Sequence, residues 1–152
     1  MTSYSFKNYK PESMSRAYGA LLPISFKQSV EICAHIKNRK IAFAKKILEG
    51  AMAEKVAIPF NRYNWDLGHK PGIGPGRYPA KASKFILQIV EAAEANAQFK
   101  GLNTSNLVVV HATSNKAGRS MHFGRKSRRV MKRTNIEIVL EETKEKKEEK
   151  KK

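Results

Sequence analysis

Residues 107–140 read LVVVHATSNKAGRSMHFGRKSRRVMKRTNIEIVL, and this stretch decides the fold. Residues 107–112 form a mainly apolar, β-branched run, which predicts a strand. Residues 136–140 would place Ile136, Ile138 and Leu140 on one face and Glu137 and Val139 on the other, which predicts a second strand. Turn-forming residues lie between them, at Asn115, Gly118, Ser120 and Gly124. The pattern predicts a β-hairpin over about 107–140. Its base would belong to the core, and its far part would project by on the order of 30 Å.

The same stretch carries an unbroken excess of positive charge. No Asp or Glu occurs between Glu94 and Glu137. The basic residues in this interval are Lys100, Lys116, Arg119, Arg125, Lys126, Arg128, Arg129, Lys132 and Arg133. Because such a run repels itself, it requires a polyanionic partner. The alternative is a merely solvated charged surface, but natural surfaces intersperse the two signs of charge.

The spacing of the cations in the second arm indicates the kind of polyanion. On a strand, Arg128 and Lys132 would share one face, while Arg129 and Arg133 would share the other. A hairpin resting in a DNA groove needs cations mainly on one face, whereas a hairpin enclosed by RNA needs them on both. The pattern therefore favours threading into a folded RNA. An isolated two-stranded ribbon is only marginally stable in water, so we expect the partner to help define its shape.

Composition limits the class of protein. The net charge of +17 and the pI of 10.1 favour nucleic acid or an anionic membrane surface as the partner. No apolar run approaches the roughly 18 residues that a membrane span requires. Residues 1–10 lack the apolar core of a signal peptide, so we expect a soluble, intracellular protein. Cys33 is the sole cysteine, which excludes an internal disulfide and a cysteine-based zinc site.

The chain of 152 residues has room for one domain with a modest core. We predict an N-terminal arm over 1–14, a single α+β domain over 15–142 that includes the hairpin, and a charged Glu/Lys tail over 143–152. Within the domain, residues 16–22 predict a short edge strand that Pro23 ends.

Three helices are predicted from apolar periodicity. Ser25 and Gln28 form a capping-box pattern, and the apolar residues behind it predict a helix over about 26–37. A second apolar face predicts a helix over 41–52. The third and longest is predicted to start at Pro79 and to end at Gly101. Residues 57–78, between the second and third helices, are rich in Gly and Pro and predict irregular structure.

A second candidate RNA contact lies in residues 65–82. Its basic residues are His69, Lys70, Arg77 and Lys81. Glycines let a backbone approach phosphates, and exposed aromatic rings can stack on bases. The alternative is an ordinary loop whose Trp65 and Tyr78 pack against the core. The glycines do not form a nucleotide-binding loop, because no strand precedes them and no Gly-Lys-Ser/Thr follows.

Catalysis is not indicated by any arrangement of residues. An enzyme needs convergent polar groups with adjusted pKa values, and the acidic residues before Glu137 are scattered. The four histidines lack the spacing of metal ligands. Cys33 falls on the apolar face of the first helix and is predicted to fill the core.

These segments, in this order, resemble a known family of large-subunit ribosomal proteins, number twenty-two in the universal scheme and seventeen in eukaryotes. PISFK at 23–27 opens the first helix as that family does. GR at 124–125, followed by NIEIVL at 135–140, is similar to its closing strand. HKPG at 69–72 and GRYPAKA at 76–82 resemble a loop found in archaeal and eukaryotic members, and the length resembles the archaeal version.

The resemblance implies an α+β fold with three helices packed on a small antiparallel sheet and a long protruding basic β-hairpin. It implies a cytoplasmic, structural protein of the large subunit that supports assembly and is not an enzyme. Implied partners are large-subunit rRNA, neighbouring ribosomal proteins and the nascent polypeptide in the exit tunnel. No cofactor, metal, membrane or small-molecule substrate is implied.

The resemblance also assigns roles to residues of this chain. The implied rRNA contacts of the hairpin are Lys116, Arg119, Arg125, Lys126, Arg128, Arg129, Lys132 and Arg133. Those of the loop are His69, Lys70, Arg77 and Lys81. The implied tip, which would approach the tunnel lumen, comprises Gly118, Arg119, Ser120, Met121, His122 and Phe123.

Two other functions remain open at this point. A free regulator that binds RNA or DNA would discriminate between sequences through base-edge contacts, whereas a phosphate-dominated contact would mainly show a steep salt dependence. A protein that binds anionic membranes would need a basic amphipathic helix with exposed bulky apolar residues. The third helix carries Glu91 and Glu94, and its apolar face is needed for the core, which disfavours the membrane alternative.

Overall fold

The structure is a computed structural model, and it describes residues 4–143. The tail predicted over 143–152 lies outside the described residues except for Thr143, as do the first three residues of the arm. The elements are β1 (Met14–Leu22), α1 (Phe26–Ile36), α2 (Ile41–Met52), β2 (Ile58–Pro59), β3 (His69–Lys70), β4 (Gly74–Arg77), α3 (Ala80–Phe99), β5 (Leu107–Lys116) and β6 (Thr134–Glu142).

The main sheet has three antiparallel strands in the order β1-β6-β5. β6 lies in the centre, and β1 is an edge strand, as its sequence predicted. β5 pairs with β6 from Leu107 opposite Glu142 to Lys116 opposite Thr134, with a shift in register between Val109 and His111. The ladder therefore joins the two ends of the 107–140 stretch and places the basic residues of the hairpin beyond it, except Lys116, which ends β5.

The core lies between one face of this sheet and the three helices. α3 packs on β1 and β6, α1 packs on β5, and α2 packs on α3. The fully buried side chains include Ile32 and Ile36 of α1, Ile86 of α3, and Ile138 and Leu140 of β6. Burying an apolar side chain of this size contributes about 1.5–3 kcal/mol. Three helices on a small antiparallel sheet confirm the predicted α+β fold.

Cys33 belongs to this core, as predicted, with an exposed fraction of 2%. Burial raises the pKa of its thiol to about 12. A thiol that stays protonated is neither a nucleophile nor a metal ligand. Cys33 is therefore a packing residue.

The N-terminal arm covers the opposite face of the main sheet. Ser5 donates hydrogen bonds to the Glu137 carboxylate from its backbone N–H, at 2.8 Å, and from its hydroxyl, at 2.7 Å. The ring of Phe6 packs on the ring of His111, with 5.0 Å between the centroids. Glu137 is only 3% exposed even though its side chain points away from the core. The arm thus buries a carboxylate and supplies its hydrogen-bond donors.

Aromatic side chains fix the arm further along. The Arg16 guanidinium lies 4.3 Å from the ring centroid of Tyr4 and 4.4 Å from that of Tyr9. Lys100, just after α3, donates to the Tyr9 hydroxyl at 2.6 Å and to the Met14 carbonyl at 2.8 Å. These contacts tie the arm to β1 and to the end of α3.

The helices lie close to their predicted positions, with one difference at a cap. α2 has its predicted bounds, α1 is one residue shorter than predicted, and α3 ends at Phe99, two residues before Gly101. The predicted capping box is wrong, because the Ser25 side chain makes no capping hydrogen bond. Gln28 instead lines a cleft at the surface. α1 therefore begins with first-turn N–H groups that its own cap residue does not satisfy.

The region predicted to be irregular contains a second small sheet, so that prediction is wrong in part. β2, β4 and β3 pair antiparallel in that order, with His69 opposite Pro75 and Lys70 opposite Gly74. Gly72 and Gly74 have φ angles of +77° and +73°, which a residue with a side chain adopts only with strain. These glycines, which predict irregular structure, instead make the tight turn of this small hairpin.

The strands of the main hairpin are longer than predicted, and its basic part is less regular. The regular ladder ends at Lys116 and Thr134. Residues Gly124–Lys126 form a short 3-10 helix, and Arg128 and Arg129 follow in a turn. The prediction that cations alternate between the two faces of a strand is therefore wrong for Arg128 and Arg129, and Lys132 and Arg133 lie just before β6 and not within it.

Candidate nucleic-acid interface

The basic residues lie on an irregular hairpin that continues from the β5–β6 ladder. Its two arms are joined by backbone hydrogen bonds from Ala117 N–H to the Arg133 carbonyl, at 3.2 Å, and from Met131 N–H to the Ser120 carbonyl, at 2.9 Å. Met121 and Val130 form an isolated antiparallel bridge. The chain then reverses after Gly124, whose φ of +63° suits a glycine. The loop is thus held by its own backbone as well as by its base.

The cations of this hairpin face solvent and lack acidic partners. We call Lys116, Arg119, Arg125, Lys126, Arg128, Arg129, Lys132 and Arg133 the hairpin surface. All of these residues except the half-buried Arg133 are exposed. Within residues 4–143, Lys45 pairs with Glu94 and His111 lies 3.9 Å from Glu137, so no cation of the hairpin surface has a carboxylate partner in that part of the chain. Their mutual repulsion is uncompensated within the described domain.

Two of these cations are positioned by groups of the body. Arg133 donates from Nη1 to the Leu21 carbonyl at 3.1 Å, which fixes the root of the second arm to β1. The Lys116 Nζ lies 5.4 Å from the ring centroid of Phe26, the first residue of α1. Both contacts leave the positive charge without a carboxylate. They hold the base of the hairpin against β1 and the start of α1.

A cleft of about 360 Å³ lies where the hairpin meets the start of α1. Its lining residues are Ile24, Ser25, Phe26, Lys27, Lys116, Arg119, Lys132 and Arg133. The N-terminal end of α1 contributes a partial positive charge, and its first turn holds no acidic residue. The cleft therefore combines several cations with a helix end that favours anions.

A second cleft, of about 240 Å³, lies beside the first. We call it the Trp65 cleft. It is lined by Ser25, Lys27, Gln28, Phe60, Tyr63, Trp65, Arg77 and Lys132. It brings Arg77, from the loop predicted as a separate contact, to the same cleft as Lys132 of the hairpin surface. Trp65 is 84% exposed, so the alternative in which it packs against the core is wrong.

A third cleft, of about 320 Å³, shares Lys132 and Arg133 with the first. Its lining residues are Pro23, Lys81, His122, Val130, Met131, Lys132 and Arg133. Lys81 is near the start of α3, so this cleft places a second loop cation beside the hairpin. Lys132 lines all three clefts, and none of the three is lined by an acidic residue. The two regions singled out in the sequence therefore meet in one continuous basic surface.

Arg119 and His122 of the implied tip line the first and third clefts, and the other remaining candidates lie outside all three. His69 and Lys70 are on β3, where the Lys70 Nζ lies 5.3 Å from the ring centroid of Tyr78. The cations of residues 125–129 lie at the turn of the hairpin, exposed to solvent. The implied tip over 118–123 lies on the outgoing arm just before the turn, with Met121 and Phe123 exposed by 67% and 89%.

A buried carboxylate fixes the start of the loop that carries Trp65. Glu31, on α1, is 3% exposed. It accepts backbone hydrogen bonds from Asn61 at 3.1 Å, Arg62 at 2.9 Å and Tyr63 at 2.7 Å. Three donors to one carboxylate compensate the cost of burying its charge. This anchor holds residues 61–63 on α1 and so places Tyr63 and Trp65 at the edge of the cleft.

Sequence analysis missed Lys27, Gln28 and Tyr63 as cleft residues. Lys27 carried a usable signal, because a lysine in the first turn of a helix is unfavourable unless an anion lies nearby. Gln28 was assigned to a capping box, and that assignment hid its position at the surface. Nothing in the sequence marked Tyr63, since its place depends on the contact between residues 61–63 and Glu31.

The structure contains neither a membrane span nor a metal cluster within the part it describes. Among residues 4–143, no helix is long and apolar enough to cross a bilayer. No group of three His, Cys, Asp or Glu side chains there is placed to hold a metal ion. Within the described residues, the basic surface is the feature that indicates a binding site, because its cations lack carboxylate partners.

Comparison with known proteins agrees with this description. The sequence matches the family described as ribosomal protein L22p/L17e over residues 17–141. The chain belongs to this family. L22p/L17e proteins are structural proteins of the large ribosomal subunit, so the chain is a ribosomal protein and not an enzyme.

Archaeal L22p/L17e proteins cover nearly the whole chain. It is 43% identical to the large ribosomal subunit protein uL22 of Archaeoglobus fulgidus over 145 residues, which span 88% of this chain and 93% of the relative. It is 40% identical to the uL22 protein of Methanosphaera stadtmanae, over 92% of this chain and 96% of the relative. It is 39% identical to the uL22 protein of Thermoplasma volcanium, over 86% of this chain and 92% of the relative.

Proposed function

We propose that the protein is a structural constituent of the large ribosomal subunit and binds large-subunit rRNA through the hairpin surface and its three clefts. Family membership supports the ribosomal role. The observation that carries the RNA assignment is the set of adjoining clefts that share Lys132 and contain no acidic side chain. A surface of this kind attracts the phosphate groups of folded RNA.

The hairpin cations act on phosphates and fix the orientation of the protein. Arg119, Lys132 and Arg133 border the clefts and would reach phosphates that enter them. The turn cations, Arg125, Lys126, Arg128 and Arg129, extend the contact away from the body. Phosphate contacts of this type position a protein on RNA without reading its sequence.

The loop cations contact a neighbouring RNA segment. Arg77 and Lys81 line two different clefts, and each of these clefts is also lined by Lys132 of the hairpin surface. His69 and Lys70 lie further out, on β3. RNA that encloses the hairpin base would meet Arg77 and Lys81 first, and a strand passing over the small sheet would meet His69 and Lys70.

The hairpin tip lines part of the nascent-peptide exit tunnel, and the protein supports assembly of the subunit. In this proposal, Gly118, Arg119, Ser120, Met121, His122 and Phe123 approach the lumen. Met121 and Phe123 expose apolar side chains that the body does not cover. An extending polypeptide would pass these side chains, while neighbouring ribosomal proteins would abut the helical body.

Co-sedimentation tests the ribosomal role. The tagged full-length protein should sediment with large subunits after washing at high salt. If the protein instead remains in the soluble fraction, the proposal is wrong. A free regulator would also show sequence-dependent affinity for short RNAs at constant salt, whereas the phosphate-dominated contact proposed here loses affinity steeply with salt and discriminates little.

A further inference from the structure

Trp65 is the sole tryptophan of the chain and one of its most exposed apolar side chains. It stands 84% exposed at the rim of the Trp65 cleft. An aromatic ring of this size ordinarily buries much of its surface in a core or an interface. The body gives Trp65 little cover, although the anchor at Glu31 fixes the chain two residues before it. Its position therefore indicates a ligand that supplies the missing contact.

The surroundings of Trp65 specify the charge of that ligand. Lys27, Arg77 and Lys132 line the same cleft, and no acidic residue does. Tyr63 lines the cleft together with Trp65. The Lys27 Nζ lies 5.6 Å and the Arg62 guanidinium carbon 5.5 Å from the centroid of the Tyr63 ring. An apolar face surrounded by cations suits a ligand that is flat and aromatic in one part and anionic in another. A nucleotide has this combination.

We infer that the Trp65 cleft binds an unpaired base of the large-subunit rRNA, stacked on the indole ring of Trp65. This inference rests on the proposed function, because the base belongs to the RNA that encloses the hairpin. Lys27, Arg77 and Lys132 bind the phosphates that flank the base. The Gln28 side chain, which lines the cleft and is not used in a helix cap, is placed to hydrogen-bond the edge of the base.

An unpaired base fits better than a duplex. In an A-form helix the bases are stacked on one another, so no base face is open to an indole ring. Loops and bulges present bases that are free to stack on aromatic side chains. The surface of another protein is a poorer partner for Trp65. It would have to supply a carboxylate for each of the cations around Trp65, namely Lys27, Arg77 and Lys132. Trp65 thereby adds base stacking to a surface that otherwise binds phosphates.

Tryptophan fluorescence of the full-length protein tests this directly, because Trp65 is the sole tryptophan. The probes are an RNA stem-loop with unpaired adenines and a fully paired RNA duplex of the same length. We expect the stem-loop to quench Trp65 and the duplex to bind without quenching. Equal quenching by both RNAs would overturn the stacking assignment. Binding of the stem-loop without quenching would also overturn it and would leave the proposed function intact.

Variants separate stacking from charge. Trp65→Ala should weaken binding of the labelled stem-loop by roughly 5- to 100-fold, the range that stacking on one base supplies. Trp65→Phe should retain most of the affinity, and duplex binding should change little in either variant. Because Trp65 is exposed, neither substitution removes a core contact, and unchanged circular dichroism checks this. Unaltered stem-loop affinity in Trp65→Ala would overturn the inference. If the unaltered protein binds neither RNA, the proposed function fails with it.

Discussion

The outer face of the main sheet and the hairpin surface both carry charged side chains, but on the hairpin surface only Arg133 and Lys116 contact partner groups within the described residues. Under the N-terminal arm, Glu137 accepts two hydrogen bonds from Ser5, and Arg16 lies between two tyrosine rings. On the hairpin surface, no cation forms an ion pair within residues 4–143. Charges that serve folding are satisfied inside the domain, and charges that are left unsatisfied mark the interface.

The largest effect should come from reversing charge on the hairpin surface. Arg119→Glu combined with Lys132→Glu replaces two exposed cations that border the clefts. We expect incorporation into large subunits to be abolished, since two phosphate contacts become repulsive. RNA binding in isolation should lose about 1.5 units from the slope of log affinity against log salt. Sedimentation and binding at several salt concentrations measure these two effects.

A matched pair elsewhere controls for net charge. Lys46→Glu with Lys84→Glu changes two exposed lysines of α2 and α3 that line none of the three clefts. This variant should keep most of its incorporation and the helical circular dichroism of the parent. Equal loss in both variants would mean that total charge, and not the hairpin surface, determines RNA binding.

The next largest effect is on stability, at the carboxylate that anchors the Trp65 loop. Glu31→Ala leaves three partly buried backbone N–H groups without their acceptor. We expect the free energy of unfolding to fall by about 2–4 kcal/mol, measured with urea. Glu31→Gln keeps one acceptor oxygen, so its free energy of unfolding should fall less than that of Glu31→Ala. A loss no greater than that of an ordinary surface substitution would show that this anchor is unimportant.

A smaller loss is expected under the arm. Ser5→Ala removes one of the two hydrogen bonds from Ser5 to the buried Glu137. The free energy of unfolding should fall by about 1 kcal/mol. Limited proteolysis should also cleave the arm sooner. Asn8→Ala, at an exposed position on the same arm, is the control and should behave as the parent. Similar behaviour of the two variants would contradict a structural role for the Ser5–Glu137 contact.

The smallest effect is a pH dependence on the same face. Burial lowers the pKa of His111 below its ordinary value, Lys37 acts in the same direction, and Glu137 opposes both. With the folded-state pKa depressed, the unfolded chain binds more protons as pH falls below about 6.5. The contribution of His111 to the free energy of unfolding is therefore complete above about pH 6.5. It is lost as the pH falls through the folded-state pKa.

Urea midpoints at a series of pH values measure this loss. In His111→Gln the decline on acidification should be shallower than in the parent. Part of the decline should persist, because burial, together with Arg39, lowers the pKa of His35 as well. A parent protein that grows more stable on acidification through this range would contradict the direction of both shifts.

The helices and the main sheet were predictable because local pattern and tertiary packing agree there. The apolar face of residues 41–52 specified α2, and the β-branched run at 107–112 specified β5. The second sheet was missed because β2 and β3 have two residues each and carry no periodicity. Its pairing depends on the turn at Gly72 and Gly74, which the sequence equally permits in an irregular loop.

The candidate site was predictable in its charge but not in its shape. The absence of acidic residues between Glu94 and Glu137 identified the hairpin cations without any structure. The meeting of Lys27, Arg77 and Lys132 in one cleft depends on how α1, the small sheet and the hairpin pack. Those contacts join residues that are far apart in sequence, and no local spacing encodes them. The exposed position of Trp65 is unpredictable for the same reason.

Site-specific photo-crosslinking within assembled large subunits is the most direct test of the central contrast. A photoreactive residue would replace Arg125 or Lys132 on the hairpin surface, or Tyr18, which lies on the outer face of the main sheet against the Tyr4 ring. The account predicts crosslinks to large-subunit rRNA from both hairpin positions, and crosslinks within the protein from Tyr18. The account would be contradicted if neither hairpin position crosslinked to RNA and Tyr18 did.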